Sequence, residues 1–139
     1  MVRVLVVDDS QTSRKILINY IGKMGFAVVA EAANGLEAIK KYRTAKPDIT
    51  LLDIVMPGMD GLATLKKLRE INSDAKVIMV SAMDDELSIK KAIQAGAKSF
   101  LAKPYDPQKL MAMLTHIRTE LRHEAPAKSR GSVRKLKTQ

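Results

Sequence analysis

With 139 residues, 46% of them apolar, the chain is long enough to close one hydrophobic core, and its two Phe, three Tyr and no Trp leave that core to Val, Ile, Leu, Ala and Met. The lack of cysteine excludes disulfides, thiol catalysis and a cysteine-held metal. Net charge is +9, yet residues 122–139 hold six Lys/Arg against one Glu, so the remainder carries only 18 basic against 14 acidic groups, too mild an excess for a chain whose main task is nucleic-acid binding.

Apolar runs and helical periodicity alternate five times. The first run, Val2 to Val7, stops at Asp8-Asp9, so it is neither a signal peptide nor a span; crossing a bilayer takes about 20 apolar residues. No membrane insertion is expected, and the absence of cysteine fits a cytoplasmic location. Ser10 is placed to cap a helix over 12–24, where Ile16, Tyr20 and Met24 recur on one face and Gly25 follows the end. A strand over 27–31 and the turn signal Asn34-Gly35 precede a helix over 36–45. A strand over 49–52 ends at Asp53, and Leu62, Leu65 and Leu68 mark a helix over 61–71.

The fourth run covers 76–80, ahead of Ser81, and Ile89 and Ile93 belong to a helix over 85–95 that Gly96 closes. The last strand, 99–102, is followed by Lys103. Asp106 and Pro107 then suit the start of a helix over 107–121 carrying Leu110, Leu114 and Ile117. The pattern divides the chain into one domain over 1–121 and a basic tail over 122–139. With Pro126, Gly131 and few apolar side chains, the tail is expected to be disordered.

Five βα units imply an α/β fold, a doubly wound parallel sheet with right-handed crossovers. In such sheets chemistry collects beyond the carboxyl ends of the strands. Those ends here are Asp8-Asp9, Asp53, Ser81 and Lys103. Clustered carboxylates repel, so either one is protonated or a cation sits among them; without His or Cys the natural occupant is a hard divalent ion, and Mg²⁺ takes such ligands together with phosphate oxygens. Lys103 and Ser81 add an ammonium and a hydroxyl for an oxyanion. Asp53, alone after the third strand, is the candidate nucleophile for an acyl phosphate. Each residue has an ordinary reading in isolation: an acidic turn, a helix cap, a surface lysine. Their joint placement at successive strand ends carries the signal.

At this point the sequence resembles the response-regulator receiver family. The resemblance rests on Asp8-Asp9, on Asp53 followed by Met56-Pro57-Gly58-Met59-Asp60-Gly61, on Ser81-Ala82 and on Lys103-Pro104, and it spans about residues 1–121. Ser81-Ala82-Met83 and Ala95-Gly96-Ala97-Lys98 resemble its single-domain chemotaxis (CheY-like) branch. The resemblance implies strand order 2-1-3-4-5, Asp53 as phosphoacceptor and Mg²⁺ held by Asp9, Asp53 and the Val55 carbonyl, with Asp8 acting mainly through water. It further implies phosphoryl oxygens held by Ser81 and Lys103, Phe100 as a switch aromatic, and a cis Lys103-Pro104 bond. The implied partners are a histidine kinase as donor and a downstream protein, in the chemotaxis branch the flagellar motor switch, docking on the fourth helix, fifth strand and fifth helix. The chain would be a signalling switch that catalyses its own phosphorylation and dephosphorylation.

Other readings remain at this stage, among them a flavodoxin-like carrier on fold alone, although no phosphate-cradling Ser/Thr/Gly loop follows the first strand. The chain could be the receiver part of a longer transcriptional regulator, although no helix-turn-helix follows residue 121. It could be an aspartyl-phosphate phosphatase of the haloacid dehalogenase type, but that family wants an Asp two residues after the nucleophile, where Val55 stands. Met111 and Met113 are candidates for a partner face. His116 and His123 are expected to be solvated, with no acidic partner at ligand spacing.

Overall fold

Strict alternation inside the apolar runs decides where the chain buries them. In β1 (Arg3–Val7), Val4 and Val6 point to one face of the sheet and Leu5 and Val7 to the other, and all four are buried. The computed structural model describes residues 1–131, with side chains through residue 124. After β1 follow α1 (Gln11–Lys23), β2 (Ala27–Ala32), α2 (Gly35–Ala45), β3 (Ile49–Leu52), α3 (Gly61–Ile71), β4 (Val77–Ser81), α4 (Glu86–Gln94), β5 (Ser99–Ala102) and α5 (Pro107–Gly131).

The strands pair in parallel in the order β2-β1-β3-β4-β5. Val4, Val6, Ile49, Leu51, Ile78 and Val80 pack under Leu17 and Ile21 of α1 and Leu110, Leu114 and Ile117 of α5. Leu5, Val7, Leu52, Val77 and Met79 pack under Ala38 and Tyr42 of α2, Leu65 and Leu68 of α3 and Ala92 of α4. Covering both faces is what lets β3 and β4 be apolar almost throughout. Strand order reverses between β1 and β3, the place where doubly wound sheets open a crevice beyond the carboxyl ends of the strands.

Several helix starts use the residues that their chemistry favours. Ser10, Asp60 and Asp85 each accept a backbone N–H three residues on, from Ser13, Ala63 and Ser88. The Asn34-Gly35 pair does not form a free turn. Asn34 caps α2 by accepting the Glu37 N–H at 2.9 Å, while Glu37 accepts the Ala33 N–H at 2.9 Å, and Gly35 is already helical. A glycine is required there because a Cβ would meet Thr64 Oγ1 and the Met59 side chain.

The last helix is longer than its apolar periodicity indicates. It passes Leu121 and continues in backbone to Gly131, so the stretch just after 121 is helical, while 132–139 of the expected tail lie outside the described residues. Charge pairs fasten the start of the extension: Glu120 meets Lys98 at 3.0 Å and Glu124 meets Lys76 at 3.2 Å, tying successive turns of α5 to the residues just before β5 and β4. His116 is also not without an acidic neighbour, since its Nε2 lies 3.4 Å from Glu120 one turn on.

Candidate functional site

The ladder hydrogen bonds that end each strand also place the polar residues beyond it. Asp8 N–H donates to the Ala32 carbonyl at 3.0 Å, Asp53 N–H to the Val7 carbonyl at 3.1 Å, and Lys103 N–H to the Ser81 carbonyl at 3.0 Å. Asp8 and Asp53 therefore follow the paired residues Val7 and Leu52 and emerge side by side at the crevice. Carboxylate oxygens of Asp8, Asp9 and Asp53 all lie within 4.8 Å of one another. Asp8 and Asp53 are buried, and Asp9 is exposed.

Lys103 reaches back across the sheet edge into this group. Its Nζ is 2.6 Å from Asp8 Oδ2, 3.2 Å from Asp53 Oδ2 and 3.1 Å from Ser13 Oγ. Burial works against charge on Asp8, but the Lys103 hydrogen bond, the Ser10 N–H, Ser13 and the charge of Lys103 outweigh it and hold the carboxyl below its ordinary range. Burial likewise opposes charge on Lys103, and the Asp8 hydrogen bond with the charges of Asp53 and Asp8 hold its ammonium above the usual lysine value. Both groups are thus ionised at neutral pH.

Ser81 sits fully buried at the end of β4, one residue earlier in its strand than the apolar pattern indicates, and its Oγ accepts the Met83 N–H at 3.1 Å. Asp53 Oδ1 accepts the Val55 N–H at 3.1 Å, so the loop after β3 folds over the carboxylate while the Val55 side chain stays exposed. Phe100 pairs with Met79 across β4 and β5 and is half-buried against the core under α3 and α4. The Lys103-Pro104 bond is cis.

Close backbone approach shapes the same loop. Gly61 N–H donates to the Ile54 carbonyl at 2.7 Å, and a Cβ on Gly61 would run into the Asp53 carbonyl and lie 2.5 Å from Ile54 Cα. Since these are backbone atoms, relief requires moving the segment that carries Asp53. Gly61→Ala is expected to destabilise the fold by about 2–3 kcal/mol in urea unfolding and to weaken whatever the Asp8–Asp9–Asp53 group binds.

Two residues of this site carry no sequence signal of their own. Ser13 supplies a third acceptor to Lys103, and Arg14 donates from Nη1 to the Asp8 carbonyl at 2.7 Å while its Nε meets Glu31 Oε1 at 3.0 Å. Both lie in the first turn of α1, which projecting that turn from the Ser10 cap onto the strand ends would have indicated.

Comparison with known proteins agrees with this geometry. The family described as the response regulator receiver domain matches residues 4–115. The chain belongs to the response-regulator receiver family. This receiver is 43% identical to the chemotaxis protein CheY of Thermotoga maritima over 115 residues, covering 83% of the chain and 96% of that protein. It is 46% identical to the CheY of Listeria monocytogenes over 114 residues, covering 82% and 96%. Its fold is similar to a crystal structure of the CheX-CheY-BeF3-Mg+2 complex from Borrelia burgdorferi, with TM-score 0.81, 38% identity and coverage of 84% and 88%. The receiver is therefore CheY-like in sequence and fold.

Proposed function

We propose that this receiver takes a phosphoryl group from a phosphohistidine of a histidine kinase onto Asp53, in a Mg²⁺-dependent step. One observation carries the reading: three carboxylates and one ammonium, drawn from the ends of β1, β3 and β5, converge at the crevice where strand order reverses. An Asp53 oxygen attacks phosphorus, the P–N bond breaks, and the imidazole leaves with a proton. The product is an acyl phosphate, whose hydrolysis returns Asp53 and inorganic phosphate.

The donor set fits a hard cation, being all oxygen. As the family resemblance implies, Asp9 and Asp53 would ligate directly, joined by the Val55 carbonyl, with Asp8, which keeps Lys103 at 2.6 Å and the Ser10 N–H at 2.9 Å, acting through water. When bound, Mg²⁺ neutralises charge on the phosphoryl oxygens. Lys103 holds one such oxygen in exchange for Asp53, and Ser81 donates its hydroxyl to another.

The Ser81 oxygen already accepts the Met83 N–H, so drawing its hydroxyl toward a phosphoryl oxygen pulls on the loop after β4. Phe100 turning inward completes the switch, a population shift that remodels α4, β5 and α5 for a downstream protein, which in chemotaxis is the flagellar motor switch. Its relatives' name as chemotaxis proteins supports that pathway, and no described helix is long and apolar enough to cross a membrane, in keeping with a cytoplasmic switch. Incubation with acetyl phosphate or phosphoramidate followed by intact mass tests the chemistry. One added phosphoryl group with Mg²⁺ and none without it is expected; an unmodified chain under both conditions contradicts the proposal.

Val55 and Met83 are exposed apolar side chains that follow Asp53 and Ser81 by two residues and flank the approach of a hydrolytic water. Neither can orient that water by hydrogen bonding. Val55→Asn with Met83→Glu is expected to shorten the phosphoryl lifetime at least about tenfold, read as phosphate release after removal of the donor.

A further inference from the structure

The Lys103 ammonium has three N–H groups, and the fold provides one acceptor for each. Two are charged, Asp8 from β1 and Asp53 from β3; the third, Ser13 Oγ at 3.1 Å, is neutral and comes from α1. Two carboxylates alone define a line between strand ends, along which a flexible lysine can slide. A third acceptor, supplied by a helix over one face of the sheet, turns that line into a fixed point.

Ser13 is itself held firmly. Its N–H donates to the Ser10 cap at 3.1 Å, and its hydroxyl helps to hold the Asp8 carboxyl below its ordinary range. The next residue, Arg14, is fastened to the Asp8 carbonyl and to Glu31. Lys103, just after β5, thus ties Asp8, just after β1, to Ser13 in α1. During transfer Asp53 must give up its contact with Lys103, because the ammonium then serves a phosphoryl oxygen. At that moment Asp8 and Ser13 are what remain to aim it.

We infer that Ser13 is a positioning residue for phosphoryl transfer, holding the Lys103 ammonium at the place where the oxygen of the incoming phosphoryl group arrives. The inference rests on Asp53 being the phosphoacceptor. Ser13 touches no reacting atom; it acts through Lys103. Being neutral, it adds direction without altering the charge of the cation site. Small displacements of a group that must meet a transferring phosphoryl unit cost up to about 10²-fold in rate, so loss of one of three anchors is expected to cost about tenfold.

Ser13→Val and Ser13→Thr have nearly the same shape and differ in the hydroxyl, which separates direction from packing. With phosphoramidate and saturating Mg²⁺, Ser13→Val and Ser13→Ala are expected to lower the maximal modification rate about tenfold with little change in the donor concentration for half-maximal rate. Ser13→Thr should restore most of it. In proton–nitrogen NMR the Lys103 ammonium, bonded on three sides, should give a slowly exchanging signal in wild type and Ser13→Thr that broadens in Ser13→Val and Ser13→Ala. Wild-type rate and wild-type ammonium signal in both hydroxyl-free variants would overturn the inference, as would a slow Ser13→Thr. A wild-type chain that takes up no phosphoryl group marks failure of the Asp53 reading instead, and the ammonium signal still decides whether Ser13 holds Lys103.

Discussion

Asp53→Asn is expected to take up no phosphoryl group from a small donor in the presence of Mg²⁺, a loss of at least about 10³-fold. The substitution keeps the shape of the side chain but replaces the attacking carboxylate with an amide, which is not a nucleophile at neutral pH. It also removes one negative charge from a trio lying within 4.8 Å, and Mg²⁺ affinity should fall in calorimetry alongside the chemistry. Folding should survive, because Asp8 retains both Lys103 and the Ser10 N–H. Intact mass of wild type and variant side by side reads the result. Equal modification of both would move the acceptor elsewhere.

Lys103→Ala is the second large effect. Without the ammonium, an oxygen of the transferring group loses its fixed partner, and the modification rate should fall about 10²–10³-fold, the usual consequence of deleting one preorganised charge partner. Lys103→Arg should recover little of this, since a planar guanidinium cannot occupy the point between Asp8, Asp53 and Ser13. A stability signature accompanies the kinetic one. In wild type the Asp8 carboxyl is held below its ordinary range, so its contribution is present above the unfolded-state value and is lost as pH falls through the lower folded one. In Lys103→Ala the opposing influence of burial is less compensated, and the gain in stability between acid and neutral pH should shrink. Urea unfolding at several pH values measures it; an unchanged pH dependence would mean that Lys103 does not set the ionisation of Asp8.

The strand ends were legible in the sequence because parallel strands covered on both faces must be apolar, which makes the first polar residue after each one conspicuous. Asp8, Asp9, Asp53 and Lys103 stand out for that reason, and the structure brings them together. Ser13 and Arg14 did not stand out, since a serine and an arginine in a first helical turn are ordinary there and acquire meaning only when α1 is laid over β1. Asn34-Gly35 has turn chemistry, but Glu37 reaching back to the Ala33 N–H and the tight approach of α3 at Gly35 make it a helix start. The course of α5 past Leu121 was hidden because charge pairs with Lys76 and Lys98, residues distant in sequence, hold it where apolar periodicity stops.

The central claim is that a divalent cation is held among acidic strand ends beside the residue that accepts phosphorus. Mn²⁺ has the charge and oxygen preference of Mg²⁺ and scatters anomalously, so diffraction at the manganese edge from crystals grown with it locates the ion directly. One anomalous peak is predicted, within about 2.2 Å of a carboxylate oxygen of Asp9 and of Asp53. A peak elsewhere on the chain, or none at these carboxylates at millimolar Mn²⁺, would contradict the account.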